Sequence, residues 1–297
     1  MEYLSFKIEN LLNELADGYP STQRFSTMPI GEGGAAFRDP VTKSPLASRI
    51  KKEDVPNTLK QIYNLFDKFG LIDMDSIVPL GSTSYLTKPT MGDIDILVKA
   101  ARPFAEIKDF KNTLYNLIYI EGYPIRDLAE KGRDFLYDMF TFLFPIINAN
   151  GEITDEKVQV DVILAENDIA YRWRYNWYQG PIQSAWKGAA RNILIGVIAK
   201  AQGYSWNKDG LYKSKIVNSG WEYETEEKIT EDPDEAAQIV FNNQQLDSSV
   251  TESVETMLTW LEHEGASIRK QVLNDFNFIV SKNEAEGREM RVKETQK

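Results

Sequence analysis

Apolar residues recur along this chain with two different periods, and the change from one to the other marks its elements. Leu4, Ile8, Leu11, Leu12 and Leu15 fall on one stripe at helical spacing, predicting an amphipathic helix over residues 2–16. Residues 17–49 hold many turn formers, among them Gly31-Glu-Gly-Gly34; no Gly-Lys-Ser/Thr follows, so this cluster reads as a connector rather than a phosphate loop. Leu59, Ile62, Leu65 and Phe66 predict a helix from Glu53 to Phe69, leading into a short strand over Ile77 to Leu80. The period then falls to two. Ile94, Ile96 and Val98 fall on one strand face, as do Val158, Val160, Val162 and Leu164 on theirs. Between these strands lie a helix over Phe104 to Tyr119, an apolar strand over Asp134 to Ile146, and a hairpin turn at Asn148-Ala-Asn-Gly151. Helical spacing returns over Lys187 to Ala201 and over 248–285 (Val254, Met257, Leu258, Leu261, Ile268, Val272, Phe276), with a frayed, charged tail expected from Asn283. The mixture of periods gives an α+β class.

The polar positions inside the two alternating strands carry the chemistry. Asp93 and Asp95 share one strand face, roughly 6.5–7 Å apart, while Ile94, Ile96 and Val98 share the other. A carboxylate without a partner is expensive to bury, so its place within an apolar alternation calls for a cation. Asp161 is presented in the same way in its own strand, with Gln159 and Ile163 on its face. Upstream, the strand ending at Leu80 runs into Gly81-Ser82, whose backbone N–H groups and hydroxyl can meet phosphate oxygens without a crowding side chain. Three carboxylates on adjacent strands can hold two divalent cations, and phosphate beside metal is what nucleotidyl transfer requires.

Gly81-Ser82, Gly92-Asp93-Ile94-Asp95 and Asp161 resemble the pattern of the DNA polymerase β nucleotidyltransferase superfamily: Gly-Ser, a polar loop, Asp-x-Asp on a strand, then a third Asp. Within it the chain is closest in pattern to the family X polymerases. Trp177-Tyr178-Gln179-Gly180 is similar to the aromatic pair and glycine that line the nucleotide sugar in that family. Residues 203–212 and 230–241 are similar to later family passages, in consistent order. The resemblance implies a polymerase-β-like palm and two Mg²⁺ ions, replaceable by Mn²⁺, held by Asp93, Asp95 and Asp161. It implies an NTP or dNTP contacted by Gly81, Ser82, Gly92, Trp177, Tyr178 and Gly180, and a nucleic-acid 3′ hydroxyl as acceptor. It also divides the chain into an N-terminal helical region and connector (1–70), a palm (71–180), a thumb-like region (181–245) and a C-terminal helical extension (246–297). Two features depart from the family. Thr83-Ser84 stand where paired arginines follow Gly-Ser, leaving Lys88 as the cation of that loop, and the helix-hairpin-helix glycine signature is missing.

Composition bounds the setting. With no cysteine and one histidine, disulfides, thiolate chemistry and a histidine-rich zinc site are excluded. No apolar run approaches a membrane span, so a soluble cytoplasmic protein with no membrane partner is expected. A net charge of −11 argues against a general nucleic-acid coat. Between Ile169 and Val217, however, eight cations stand against Asp209 alone, interleaved with tryptophans and tyrosines. That combination binds single strands by phosphate neutralisation and stacking, with Arg172 and Arg174 as candidates to face a triphosphate or template. The alternative is that the tryptophans are core and the cations a solvated face. Three functions remain: transfer to a nucleic-acid hydroxyl, transfer to a protein or small-molecule hydroxyl, and silent nucleotide or nucleic-acid binding on a palm scaffold.

Overall fold

A computed structural model of the chain describes residues 36–85, 89–104, 106–127, 138–178, 184, 186–216, 223–287 and 290. These belong to one compact unit; the helix expected over 2–16 lies outside the described residues. In chain order the elements are β1 (Ile50–Lys51), α1 (Val55–Phe69), β2 (Val78–Leu80), α2 (Gly81–Tyr85), β3 (Thr90–Met91), β4 (Asp93–Lys99) and α3 (Ile107–Ile120). Then come β5 (Ile125–Asp127), β6 (Met139–Ile147), β7 (Ile153–Ala165), α4 (Asp168–Tyr178), α5 (Gly188–Ala201), β8 (Tyr204–Asn207), β9 (Gly210–Ile216) and β10 (Tyr223–Thr230). Helices α6 (Pro233–Val240), α7 (Val254–His263) and α8 (Arg269–Ala285) complete the unit. The α+β class expected from the periodicities is the one observed.

The central sheet has the order β2-β4-β7-β6-β5, with β4 and β7 parallel and the other pairs antiparallel. Strand β6 is apolar almost throughout because both of its faces are covered, which explains its unbroken hydrophobic run. On one face, Ile94, Ile96, Val98, Val158, Val160, Val162 and Phe142 form a core with α1 and α3. Helix α1 supplies Ile62, Leu65 and Phe66 and ends at Gly70, whose φ of 61° closes the last turn in the left-handed region. Its buried Thr58 pairs with the backbone of Ile147, fixing the helix to β6.

The second core gathers Trp173 of α4, the apolar side of α5, and residues of β8, β9, α6, α7 and α8. Trp173 and Trp206 stack inside it at 4.9 Å. The thumb-like and C-terminal segments distinguished in the sequence therefore share one core. Asp232 caps α6 by accepting from the Asp234 and Glu235 amides, with Pro233 in the first turn. The tail expected to fray from Asn283 stays helical to Ala285. Met290 beyond it is buried, and its carbonyl accepts from the Lys187 amide, because a large apolar side chain there completes the core.

The helical stretch expected over 248–285 is broken at Gly265, where any Cβ would lie 2.5 Å from the Trp260 ring. Gly196, inside α5, has nothing within 4 Å of where a Cβ would stand. Opposite outcomes are expected on substitution. Gly265→Ala should lower stability by about 1–3 kcal/mol, since Trp260 is held by its edge contact to Phe241. Gly196→Ala should raise it by roughly 0.5–1 kcal/mol through helix propensity. Urea midpoints of the two variants measure both.

Candidate active site

Strands β4 and β7 run parallel in a register that makes Asp95 and Asp161 direct neighbours and places Asp93 opposite Gln159. With the period of two along each strand, Asp93, Asp95 and Asp161 share the face turned away from α1 and α3. One oxygen of each carboxylate lies within 4.8 Å of the others. All three residues are half-buried. A small apolar cluster of Leu80, Leu97, Met139, Ile163 and Ala170 floors the same face. Helix α4 lies over that face, and Lys99 ties its first turn down by bridging Asp73 at 3.0 Å and Asp168 at 2.5 Å.

Crowding raises the proton affinity of the cluster. Burial first, then the neighbouring Asp93 and Asp161, lift the Asp95 carboxyl well above its usual range. Asp161 is pushed up to about 7 by burial and by Asp93, against the opposing side-chain influence of Thr141 and then of Gln159. An oxygen-only donor set of three carboxylates fits a hard divalent cation such as Mg²⁺ or Mn²⁺, which would relieve that repulsion.

Gly81 closes the approach to the cluster. It has a φ of 52°, and a Cβ there would stand 3.1 Å from Asp95 Oδ2, so the Gly-Ser turn runs directly against the carboxylate. Ser82, next to Gly81 in sequence, and Gly92, next to Asp93, are half-buried; Lys88 and Gly180 lie outside the described residues. The aromatic pair divides. Tyr178 packs on the carboxylate face, whereas Trp177 packs against the second core. The Trp177 carbonyl, at the end of α4, accepts from Asn192 Nδ2 at 3.2 Å and Arg191 Nη1 at 3.5 Å.

The two arginines singled out in the sequence are committed within the chain. Arg172 reaches Asp232 at 2.7 Å and Asp234 at 2.6 Å. Arg174 is 4 % exposed and pairs with Asp138 at 3.1 Å and Glu166 at 2.5 Å. Lys208 also reaches Asp138, at 2.8 Å. A guanidinium buried among carboxylates is held there by the cost of leaving them unpaired, so Arg174 braces α4. Trp173 and Trp206 are likewise core residues. Of the basic aromatic stretch, this part follows the core-and-framework reading.

Three residues of the site carried no assignment from the sequence. The buried Thr83 hydroxyl accepts the Asp95 amide at 3.2 Å. Gln159 Nε2 donates to Asp161 Oδ1 at 2.8 Å. Thr141, the cross-strand partner of Asp161 in β6, buries its hydroxyl behind it. Gln159 was legible as a neighbour on the carboxylate face; nothing local marks Thr83 or Thr141.

No family model and no curated protein matches this sequence. Among solved structures, the chain is similar to Leishmania infantum polymerase beta in a ternary gap complex, at 15 % identity and a TM-score of 0.41, covering 58 % of this chain and 53 % of that one. It is similar to the same polymerase in a ternary P/T complex, at 16 % identity and a TM-score of 0.42, covering 60 % and 64 %. The chain thus spans from about half to just under two-thirds of those structures. No helix among the described residues is long and apolar enough to cross a membrane.

The raised carboxyl of Asp161 sets a stability profile. Between its ordinary value of 3.8 and about 7, the unfolded chain releases this proton while the folded chain keeps it. Metal-free protein is therefore expected to lose stability as pH rises across that window, with the site's full contribution present below it. Asp161→Asn should flatten this part of the profile. Mg²⁺ or Mn²⁺ should raise the melting temperature more at pH 8 than at pH 5, because cation and proton compete for one cluster. Thermal melts with chelator and with metal, wild type against variant, check both statements.

Proposed function

We propose that this chain is a metal-dependent nucleotidyltransferase with a polymerase-β-like palm, transferring a nucleoside monophosphate from an NTP or dNTP to a nucleic-acid 3′ hydroxyl. The observation that carries the reading is the three-carboxylate cluster with Gly81-Ser82 pressed against one of its members. In this reading Asp93, Asp95 and Asp161 hold two Mg²⁺ ions, or Mn²⁺ in their place. Bound there, the cations supply charge neutralisation at the attacking and leaving oxygens of an in-line displacement. A bond forms between the acceptor oxygen and the α-phosphorus, and the bond from that phosphorus to the pyrophosphate oxygen breaks. Asp161 orients the attacking hydroxyl and draws off its proton. The Gly81-Ser82 backbone and the Ser82 hydroxyl receive phosphate oxygens, Gly92 leaves room for them, and Lys88 adds a point charge. Tyr178, on the carboxylate face, meets the nucleotide sugar.

A second acceptor class is favoured by one observation: Arg172, Arg174 and Lys208 are committed to carboxylates of the chain, in a protein of net charge −11. Much of the apparent nucleic-acid footprint is thereby consumed, which suits a protein or small-molecule hydroxyl. Labelled triphosphates offered with single-stranded, templated and gapped acceptors, and separately with cell extract, distinguish the two. Primer extension is expected with Mg²⁺, and Asp93→Ala or Asp161→Ala should reduce it at least about a thousandfold with the fold retained. Label transferred into extract protein or metabolite, without extension, selects the second acceptor. Near wild-type turnover in either variant overturns the chemistry itself.

A further inference from the structure

Gln159 lies in β7 two residues before Asp161, on the same strand face, and is the cross-strand partner of Asp93. Its side chain is almost fully enclosed, at 5 % exposure for the residue, and both ends of its amide are committed. Nε2 donates to Asp161 Oδ1 at 2.8 Å, and Oε1 accepts from the Ala36 amide at 2.9 Å. A backbone N–H can only donate, so Ala36 dictates which end of the side-chain amide is oxygen and turns the NH₂ toward the carboxylate. Ala36 is held in its turn, because its carbonyl accepts from Arg126 Nη1 on β5. Edge strand, connector, amide and carboxylate thus form one chain of hydrogen bonds ending at the cluster.

We propose that Gln159 is a positioning residue of the metal centre: it commits Asp161 Oδ1 to the amide and holds that carboxylate in a single orientation toward Asp93 and Asp95. This rests on the reading of the three carboxylates as a metal centre. A neutral amide suits the task better than a cation. Lysine or arginine at this place would also orient Asp161 but would compete with the metal for its charge, whereas glutamine orients without neutralising. The braced partner gives the arrangement its purpose, since a glutamine free to rotate could present its oxygen to Asp161 and repel it. Outer-shell hydrogen bonds of this kind change metal affinity about 10–100-fold when removed.

The experiment is a Mn²⁺ titration followed by electron paramagnetic resonance on wild type, Gln159→Met and Asp161→Asn, with Mg²⁺ activation curves alongside. Gln159→Met should weaken Mn²⁺ binding about 10–100-fold and shift the Mg²⁺ needed for half-maximal turnover by a similar factor. At saturating metal, kcat should return toward the wild-type value with KM for the triphosphate unchanged. Wild-type Mn²⁺ affinity in Gln159→Met overturns the proposal while leaving the metal centre standing. Equal, negligible binding in wild type and Asp161→Asn removes the metal centre and this inference with it. If Gln159→Met does not fold, Ala36→Pro takes its place: it deletes the N–H that orients the amide and leaves Gln159 intact. It should weaken Mn²⁺ in the same direction by a smaller factor, and an unchanged affinity there also counts against the proposal.

Discussion

Everything at the candidate site depends on one pairing, the parallel register between β4 and β7. Because Asp95 faces Asp161 directly and Asp93 stands one step along on the same face, three like charges are gathered where the sheet allows them no escape. A slip of one residue would turn Asp161 into the core beneath the sheet and Val160 or Val162 out of it, a change the apolar packing against α1 and α3 forbids. The hydrophobic face therefore enforces the electrostatic one. The same packing that stabilises the sheet holds Asp95 and Asp161 in a state where they bind protons too tightly, and a cation is the natural relief.

Around that pairing the chain arranges its other charges to steady helices. Lys99 bridges Asp73 and Asp168 at the start of α4; Arg174 reaches back to Asp138 and Glu166; Arg172 crosses to the cap of α6. At the far end of α4, Arg191 is buried and donates to Asn176, to the Trp177 carbonyl and to Thr251, where the helix carbonyls concentrate negative potential. The helix over the carboxylate face is thus fixed at both ends by cations, and the second core grips its inner side through Trp173. These ion pairs are framework, with the exposed Arg172 pairs contributing less than the enclosed ones.

Much of this was readable beforehand. The strand period announced which side of β4 and β7 would be apolar, and the carboxylates fell on the opposite side as expected. Helix α1 and its inward residues and the Asn148–Gly151 turn also followed from local rules, because each is decided by neighbours in sequence. The basic aromatic stretch was not decidable in that way. A run of arginines and tryptophans has the same composition whether it meets a nucleic acid or folds inward. The difference lay in carboxylates 36 to 62 residues distant, such as Asp138, Asp232 and Asp234.

Sequence alone determined the candidate chemistry: three aspartates placed by a period of two, a glycine and serine ahead of them, no thiol and no cluster of histidines. Those follow from residue identity and spacing. Tertiary structure decided what no spacing encodes: that Gly81 stands against Asp95, that Ala36 orients Gln159 and Gln159 orients Asp161, that Trp177 and Tyr178 turn to different cores, and that Arg174 is framework. The physical reason is the same throughout. A side chain's role at the cluster is set by partners brought from distant parts of the chain, and only the packed sheet and helices determine which partners those are.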